Sequence, residues 1–432
     1  MSMILTDEMK LALDIINEGK ENLFITGKAG TGKTTFLKYV VSATSRKIVV
    51  VAPTGVAAVN AGGMTIHSLF CLPFGIITPE DLKTHNKYLK KDKKNTLKTM
   101  DTLIIDEISM VRPDCLDAID SRLRDVRKNN SPFGGVKIIM IGDLFQLPPV
   151  ISETEKSAYE FLYNTPYFFG AKVWLTSGFR QVEFTQVYRQ TEPEFIDLLN
   201  RMRTYNTTFN DLLFLANTAR KNIDNDQMEK YIYICSHNST ANRINMDKLG
   251  LDNVHIIKSH IYGDFPETYG PCSSPLYIRV GARVINLAND SKNKIYNGDL
   301  GVVTKIDNDY IRVKFDDKQE VDVYRKEWIN YKYNVVGGQL MKEPVGSMEQ
   351  FPLKLAWAIT IHKSQGLTFK NVLLDIDQIF LPGQLYVALS RCVSPSGLII
   401  NSYITEDMIL PDEQLIKFNE YMKNNNYIFG TI

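Results

Sequence analysis

The stretch ENLFITGKAGTGKTTFLKYVV, residues Glu21–Val41, gives the strongest indication of the fold of this chain. It begins with a short apolar run, Leu23–Ile25, and ends with FLKYVV, which suits a helix. Between them the segment Gly27–Thr34 matches the pattern G-x-x-x-x-G-K-[ST]. Strand, glycine-rich loop and helix in this order predict an α/β domain with a phosphate site at the loop.

This loop offers the chemistry that a nucleoside triphosphate requires. Glycines let backbone N–H groups approach phosphate oxygens, the Lys33 ammonium can reach the β- and γ-phosphates, and the Thr34 hydroxyl can bind Mg²⁺. We therefore expect ATP with Mg²⁺ as the cofactor. The predicted nucleotide contacts in this segment are Gly27, Lys28, Ala29, Gly30, Thr31, Gly32, Lys33, Thr34 and Thr35.

Two adjacent carboxylates follow the apolar run Leu103–Ile105. Open α/β sheets bind their ligands at the edge where strands end, so Asp106 and Glu107 are expected beside the phosphate loop. Neighbouring residues on a strand point to opposite sides, which lets Asp106 hold Mg²⁺ while Glu107 faces the attacking water as general base. The pair predicts hydrolysis of the nucleotide rather than storage.

Further apolar runs along the chain predict the remaining strands, and their spacing indicates the domains. Strands are predicted at Leu23–Ile25, Ile48–Val51, Leu103–Ile105 and Ile138–Ile141, and a second set at Tyr231–Cys235, Val372–Leu374 and Leu398–Ile400. Between Ala282 and Lys332 the strands are shorter and closer, with NGD, DND and DDK turns, which indicates a small β-barrel. We predict an α/β protein with one domain over 1–175, a second over 176–281 and 351–432, and the barrel at 282–350.

Composition excludes several classes of function. The net charge of +1 gives no global attraction to nucleic acid or membrane, so any such surface is local. The five cysteines include no C-x-x-C pair, and neither a secretory signal nor a membrane-length apolar run is found, so we expect a cytoplasmic protein without a membrane partner. The lysine-rich Lys83–Lys98 is interpreted as a solvated face. Thr304–Asp307, although similar to a guanine-reading motif, is expected on a barrel strand facing solvent.

Several motifs in order carry a family resemblance over nearly the whole chain. They are GKAGTGKT, APTGVAA (Ala52–Ala58), TIHSLF (Thr65–Phe70), IIDEISM (Ile104–Met110), GDLFQLPPV (Gly142–Val150), VYRQ (Val187–Gln190), AITIHKSQGLTF (Ala358–Phe369) and YVALSRC (Tyr386–Cys392). With these motifs the chain resembles superfamily 1B DNA helicases of the petite-integration-frequency (Pif) type, close to RecD-like enzymes. Met110–Arg127 also looks like the segment distinctive of the Pif branch.

The resemblance implies two RecA-like P-loop domains with ATP between them and single-stranded DNA across both. It also implies that the barrel is SH3-like and that a small wedge insertion lies around Leu69–Leu89. For the nucleotide it implies a γ-phosphate sensor at Gln146, arginine fingers at Arg189 and Arg391, and further contacts at Gly366 and Tyr188, with Tyr188 stacking on the base.

DNA contacts are implied at short polar segments, whose groups can hold phosphates and support bases without reading sequence. We therefore expect weak sequence preference. The implied contacts are Pro53, Thr54, Gly55, Val56, His67, Ser68, Pro148, Pro149, His237, Asn238, Thr360, His362, Lys363, Ser364 and Gln365.

One residue departs from the family pattern. The family carries a Gln near the N-terminus that reads the adenine edge, whereas Leu5-Thr6-Asp7-Glu8 is followed here by Met9. A thioether offers no paired donor and acceptor. We expect GTP or CTP to support turnover.

The resulting hypothesis is an ATP-dependent helicase that moves 5′→3′ on single-stranded DNA and unwinds duplexes with 5′ tails. A DNA-stimulated ATPase that remodels protein–DNA complexes without separating strands is the alternative, and a catalytically inert binding scaffold is disfavoured by the catalytic set. RNA, in place of DNA, remains an alternative as the strand along which the protein moves. Expected contexts are DNA repair, recombination, replication and telomere maintenance, with G-quadruplexes and R-loops as further substrates. The chain is expected to be a bacterial, nucleoid-associated monomer that can dimerise on DNA.

Overall fold

The structure of the protein is a computed structural model. It describes residues 4–73, 75–85, 89–151, 155–219, 228, 230–266, 271–288, 290, 292–295, 297–316, 319–336, 339–376, 378–401 and 404–424. The chain divides into two compact units. Unit 1 comprises the chain up to Tyr188, Asn330–Val345 and the chain from Asp412, whereas unit 2 comprises Arg189–Ile329 and Gly346–Pro411.

Helices and strands alternate along most of the described chain. The helices are α1 Asp7–Glu18, α2 Lys33–Ala43, α3 Gly55–Ala61, α4 Ile66–Phe70, α5 Pro79–His85, α6 Lys91–Thr99, α7 Pro113–Arg127, α8 Lys156–Leu162, α9 Trp174–Ser177, α10 Pro193–Arg203, α11 Phe209–Ala219, α12 Asn238–Leu249, α13 Ile361–Ser364, α14 Gln384–Leu389 and α15 Glu413–Asn424. Several ends carry expected caps. Thr6 accepts a hydrogen bond from the Met9 backbone at the start of α1, and Gly19 ends α1 in the left-handed conformation.

Unit 1 contains a six-stranded parallel sheet in the order β3-β2-β4-β5-β1-β6. Its strands are β1 Asn22–Gly27, β2 Ile48–Ala52, β3 Met64–Thr65, β4 Thr102–Ile105, β5 Lys137–Ile141 and β6 Phe179–Phe184. The central strands are buried on both faces, as the continuous apolar runs of the sequence predict. Helices α1 and α2 pack on this sheet with their apolar residues in its core.

The last helix, α15, packs on unit 1 rather than on unit 2. Its Phe418 ring stacks on Phe169 with 4.1 Å between centroids and also contacts Trp174. Just before the helix, Asp412 accepts a hydrogen bond of 2.8 Å from the Tyr167 hydroxyl. The aromatic cluster therefore joins this helix to unit 1, although the sequence analysis assigned it to the second domain.

Unit 2 contains a four-stranded parallel sheet in the order β18-β7-β19-β20. Its strands are β7 Ile232–Cys235, β18 Ala358–Thr360, β19 Val372–Asp375 and β20 Leu398–Ile400. Helix α12 follows β7 and packs against β18, where Asn245 exchanges hydrogen bonds with the backbone of Ala358. This sheet confirms the second α/β layer that the sequence predicts.

Antiparallel strands lie between the first and second strands of this sheet in sequence. They are β8 His255–Ile257, β9 His260–Gly263, β10 Leu276–Ile278, β11 Arg283–Asn286, β12 Leu300–Ile306, β13 Tyr310–Phe315, β14 Glu320–Tyr324, β15 Lys326–Val336, β16 Gln339–Gln350 and β17 Leu353–Leu355. Five of them form one sheet in the order β14-β13-β12-β11-β17. Strand β8 pairs with β10, and β15-β16-β9 form a separate sheet.

The predicted strands agree with the structure to within a few residues, but the sheets cross the predicted domain limits. Strand β6 lies beyond residue 175 and joins the first sheet by pairing with β1. Strand β17 lies beyond residue 350 and completes the antiparallel sheet by pairing with β11. A closed SH3-like barrel at 282–350 therefore stays a prediction.

The guanine-like motif lies on β12 and its following turn, as expected. Its Lys305 ammonium lies 3.0 Å from Asp307, and both side chains are exposed. This ion pair accounts for the motif as part of a solvated strand. Of the helices in the described part of the chain, none combines the length and apolar character that a membrane span requires.

Candidate active site

The phosphate loop connects β1 to α2 and adopts backbone conformations that favour glycine. Gly30 and Gly32 have φ of 81° and 82°, in the left-handed region, and Gly32 directly precedes α2. A Cβ at Gly27 would lie only 2.5 Å from the carbonyl oxygen of Phe184. The loop is therefore held close to the sheet, with the N-terminus of α2 directed at its centre.

Two side chains of the phosphate loop donate hydrogen bonds to the loop's own backbone carbonyls. The Lys33 ammonium donates to the carbonyl oxygens of Gly27 at 2.6 Å and Lys28 at 2.9 Å. The buried Thr31 hydroxyl also donates to Lys28, at 2.9 Å. An anion bound in the loop would take over the ammonium of Lys33 from these carbonyls. Thr34 is half-buried and Thr35 exposed on the first turn of α2.

Asp106 and Glu107 follow β4, but the structure corrects the reason given for their division of roles. Strand β4 ends at Ile105, and Glu107 has φ of 51° and ψ of 47°, which is left-handed. Strand alternation therefore does not separate the two carboxylates. The Glu107 backbone N–H donates to Asp106 Oδ1 at 3.0 Å. Asp106 is buried and Glu107 is half-buried.

Burial and the negative charge of Glu107 raise the pKa of Asp106 to about 7. The ammonium groups of Lys33 and Lys38 oppose this shift, which places the carboxylate within the electrostatic reach of the phosphate loop. A buried carboxylate at the end of a strand, near a hydroxyl-bearing helix N-terminus, is a hard oxygen set of the kind that Mg²⁺ prefers.

Gln146 lies in the loop that follows β5. Its backbone N–H donates to the Asp143 carbonyl at 3.0 Å, and its side-chain amide lies 3.4 Å from the Asp143 carboxylate. Both residues are buried. These contacts fix the amide in one place at the end of the sheet. Asp143, which the sequence analysis passed over, is therefore the support of the proposed sensor.

Sheet order brings these parts together. Strands β4, β5 and β1 are adjacent and parallel, so their carboxyl ends meet at one edge. The carboxylate pair, the Gln146 loop and the phosphate loop each leave one of these three strands. Unit 1 thus brings the predicted nucleotide, metal and catalytic residues of these loops to one edge of the sheet.

Met9 and Tyr188 also lie against the phosphate loop. A Cβ on Gly32 would lie 3.5 Å from the Met9 methyl carbon and 3.8 Å from the Tyr188 ring. The Tyr188 backbone N–H donates to Gly30 at 2.9 Å, and its ring is half exposed. Met9 is buried. The residue that replaces the family's adenine-reading Gln is therefore placed beside the loop, as is the proposed stacking ring.

The DNA candidates of unit 1 follow neighbouring strands. Pro53 and Thr54 follow β2, and the Thr54 hydroxyl accepts from the Ala57 N–H as α3 starts, with Gly55 and Val56 in its first turn. His67 and Ser68 lie on α4, whose Thr65 cap accepts from Ser68. Pro148 and Pro149 are buried, and Val150 beside them is exposed.

The segment predicted to carry a wedge is anchored to α7. Asp114 accepts a hydrogen bond of 2.9 Å from the Ile77 N–H. The buried Arg122 guanidinium donates to the carbonyls of Phe70 at 3.2 Å and Leu82 at 3.1 Å. Side chains of helix α7 thus hold the described part of this segment through hydrogen bonds to its backbone. Residues 74 and 86–88 lie outside the described residues, and the wedge role stays a prediction.

The DNA candidates of unit 2 follow β7 and β18, which pair in parallel. His237 and Asn238 start α12, and Thr360 caps α13 by accepting from the Lys363 N–H. Lys363 and Gln365 on this turn reach solvent, whereas Ser364 is buried. The turn therefore offers a cation and backbone groups at the same sheet edge as His237.

Two of the candidate histidines have lowered pKa values, which favour the neutral ring. Burial, with the nearby Arg112 cation, lowers the pKa of His67, and burial alone lowers that of His362. His362 Nε2 is buried without a hydrogen-bond partner among the described residues. Neutral rings suit contact with bases and sugars better than with phosphates.

Phe380 is an aromatic residue that sequence reasoning missed. Its ring lies 5.3 Å from that of His237, and 48% of it is exposed. Large exposed aromatic rings beside polar strand ends are the platforms on which bases stack. No local pattern distinguishes Phe380 from the other phenylalanines, because its position depends on the pairing of β19 with β7.

The remaining nucleotide candidates belong to unit 2. Arg189 is the first residue of unit 2 and is half-buried. Its guanidinium donates to the Ser390 carbonyl at 3.2 Å. Arg391 follows α14, is buried, and donates to the carbonyls of Val387 and Leu367, among others. Gly366 is exposed with φ of 80°. Hydrogen bonds connect the three residues within unit 2. Arg189 donates to Ser390, next to Arg391, and Arg391 donates to the carbonyls of Ser364 and Leu367 on either side of Gly366.

Comparisons with known proteins identify the family of this chain. The family model of PIF1-like helicases matches residues 4–211. The ATP-dependent DNA helicase Pif1 of Bdellovibrio bacteriovorus is 31% identical over 427 residues, which cover 96% of this chain and 92% of that protein.

Two solved structures are similar over their whole length. Bacteroides sp. Pif1 in complex with ADP-AlF4 is 46% identical with a TM-score of 0.93, and 100% of each chain is covered. Bacteroides Pif1 bound to single-stranded DNA is also 46% identical at full coverage of both chains, with a TM-score of 0.73.

Proposed function

This chain belongs to the PIF1-like helicase family and is an ATP-dependent DNA helicase, and we propose that it moves 5′→3′ along single-stranded DNA. The observation that supports the chemistry is the convergence of three loops at one edge of the unit 1 sheet. The phosphate loop, the carboxylate pair and the Gln146 loop supply the functions that phosphoryl transfer to water requires.

We propose the following division of labour for hydrolysis. Lys33 leaves the carbonyls of its own loop and holds the β- and γ-phosphates. Glu107, which is half-buried, accepts a proton from the attacking water. Gln146 contacts the γ-phosphate from its fixed position beside Asp143. Arg189 and Arg391 stabilise the charge that develops on the transferred group.

Mg²⁺ would be held by Thr34 and Asp106. When bound, the ion neutralises charge on the phosphate oxygens. The oxygen donors fit this ion, and the raised pKa of Asp106 is consistent with a carboxylate whose charge a bound cation would balance. Burying a charged carboxylate costs free energy, and a bound cation offsets that cost. Binding of the metal with the nucleotide would therefore stabilise the ionised form of Asp106.

The DNA track is proposed to use the candidate segments of both units. Lys363 supplies a positive charge for phosphate, and the neutral His67 and His362 contact uncharged parts of the strand. Phe380, beside His237, stacks on a base. Because none of these groups reads a base edge in pairs, sequence preference is weak.

We propose single-stranded DNA, and duplex DNA with a 5′ tail, as the substrate. A Bacteroides relative is bound to single-stranded DNA, and this chain is similar to it over its full length. G-quadruplexes, R-loops, a role in repair, recombination, replication or telomere maintenance, a nucleoid location and a second copy on DNA stay predictions.

Polarity is tested by displacement of streptavidin from biotinylated single-stranded DNA. A motor that moves 5′→3′ accelerates release from the 3′ end only. Release from the 5′ end alone would reverse the proposed direction. Glu107→Gln with ATP is the control, because it removes the general base and leaves the DNA candidates unchanged. Release by this variant at the wild-type rate would refute ATP-driven movement.

A further inference from the structure

A buried amide fixes the chain on both sides of Arg391. Gln190 is 3% exposed, and its Nε2 donates to the carbonyls of Ser390 and Cys392, each at 3.0 Å. A side-chain amide has two N–H donors. Both therefore go to the two residues that flank Arg391 in sequence.

The neighbouring arginine shares this contact. Arg189 directly precedes Gln190, and its guanidinium donates to the same Ser390 carbonyl at 3.2 Å. The segment that carries one proposed arginine finger is thus fastened, by adjacent side chains, to the loop that carries the other. All these bonds lie within unit 2.

Arg391 itself is bound into the same loop system. Its Nε donates to Val387 at 2.9 Å, its Nη1 donates to Ser364 and Leu367, and its Nη2 donates to the Ser390 hydroxyl at 2.7 Å. The three carbonyl acceptors lie outside residues 390–392, and only the Ser390 hydroxyl belongs to that loop. A shift of the loop therefore moves the backbone of Arg391 relative to the carbonyls that hold its guanidinium.

We propose that Gln190 is a positioning residue that holds the Ser390–Cys392 loop so that Arg391 and Arg189 keep one mutual geometry for hydrolysis. The inference rests on the proposed roles of the two arginines. Loss of the amide removes a hydrogen bond from the Cys392 carbonyl and leaves the Ser390 carbonyl with the longer bond from Arg189, so the loop loses two of the contacts that hold its course. A displacement of about 1 Å in a catalytic group can cost about 10²-fold in rate.

The chain offers a matched control in Gln350. It is also fully buried, and its Nε2 donates to the carbonyls of Ile257 at 3.0 Å and Ser273 at 3.5 Å, in a part of unit 2 without proposed catalytic residues. Gln190→Leu and Gln350→Leu remove the same chemical group, and the control loses more contacts, because Gln350 Oε1 also accepts from the Phe351 N–H at 3.0 Å and from Arg325 at 3.4 Å. Only the first change touches the loop of Arg391.

The experiment measures kcat, the KM for ATP, and the affinities for ADP and ADP-aluminium fluoride, with thermal unfolding of each variant. Gln190→Leu is expected to lower kcat by about 10- to 100-fold with KM changed less than about twofold. Affinity for ADP-aluminium fluoride falls with kcat, while ADP affinity is kept. Gln350→Leu is expected to keep all four values. Gln190→Asn, which shortens the amide's reach, gives the same test with a smaller fold change.

Equal losses of kcat in the two Leu variants, or unchanged kcat in Gln190→Leu and Gln190→Asn, would overturn the inference. Arg391→Lys separates this failure from failure of the proposed function. If Arg391→Lys loses turnover and the Gln190 variants do not, the positioning role alone is refuted. If Arg391→Lys retains wild-type kcat, the finger role on which the inference rests is refuted.

Discussion

Replacing Glu107 by Gln is expected to stop hydrolysis and, at the same time, to change the pH range in which the enzyme holds Mg²⁺. The second effect follows from the position of Asp106, which is buried and faces the charge of its neighbour. A carboxylic acid must lose its proton before it can bind the ion. Any change that lowers its pKa therefore extends metal binding to lower pH.

The size of the effect follows from the pKa of about 7 that burial and Glu107 give to Asp106. With this pKa, about nine-tenths of the Asp106 side chains are ionised at pH 8 and about one-tenth at pH 6. The wild-type affinity for Mg²⁺ should therefore fall about tenfold from pH 8 to pH 6 through this group. Glu107→Gln removes the second cause of the shift and leaves burial, so the fall should be smaller. Turnover should fall by about 10²- to 10⁴-fold.

The assay is a Mg²⁺ titration of fluorescent ADP binding at pH 6, 7 and 8, with wild type, Glu107→Gln and Glu21→Gln. Glu21 precedes β1, at the end of the strand opposite the phosphate loop, and pairs with Arg180 at 3.4 Å. Its substitution changes the net charge equally without facing Asp106. The phosphates of ADP titrate alike in all three proteins, so the comparison isolates the protein group.

The reasoning would be refuted if the ratio of Mg²⁺ affinities at pH 8 and pH 6 were the same in Glu107→Gln and Glu21→Gln. It would also be refuted by an affinity in wild type that did not change between these pH values. Turnover near wild type in Glu107→Gln would remove this residue from its role as general base.

Three further predictions concern DNA and nucleotide recognition. Lys363→Ala should reduce the slope of log Kd against log salt for single-stranded DNA by about 0.7, because it removes one phosphate contact; anisotropy titrations over a range of NaCl measure this, and an unchanged slope would contradict the contact. Phe380→Ala should weaken single-stranded DNA binding by about 1–3 kcal/mol regardless of sequence, through loss of base stacking; equal affinity in equilibrium titrations would exclude the ring as a platform. Wild type should hydrolyse GTP or CTP at an appreciable rate, and Met9→Gln should raise the preference for ATP by restoring a paired donor and acceptor; strict ATP selectivity of the wild type in a steady-state assay would contradict this.

The parts of the fold that could be predicted from sequence are those with a local cause. Leu23–Ile25 and Leu398–Ile400 are apolar runs bounded by turn or charged residues, and both are buried parallel strands in the structure. The phosphate loop could be placed because its glycines and lysine have one local geometry that suits them. Sheet order then brings the Asp106 and Gln146 loops to the same edge.

The parts that could not be predicted depend on contacts between distant residues. Phe418 joins α15 to unit 1 by stacking on Phe169, far away in sequence. Strand β17 completes a sheet that begins well before it, by pairing with β11. Neither contact leaves a periodic signal at its own position, because a strand or helix pattern specifies an apolar face but not its partner.

Asp106 and Glu107 show the same limit within the site. Alternation along a strand predicted their opposite directions, but the strand ends before them and Glu107 has a left-handed backbone. A non-glycine residue with positive φ is uncommon, and nothing in the sequence of this segment indicates it. The roles of the site residues stay predictions that the variants above test.

Strand separation on matched duplexes with either a 5′ or a 3′ single-stranded tail tests the central claim most directly, with ATP and Mg²⁺ and with Glu107→Gln as the control. We expect the wild type to unwind only the 5′-tailed duplex and the variant to unwind neither. Unwinding of only the 3′-tailed duplex would contradict the polarity. If neither duplex opened although single-stranded DNA stimulated ATP hydrolysis, the account of a duplex-separating motor would be contradicted in favour of a translocase that remodels protein–DNA complexes.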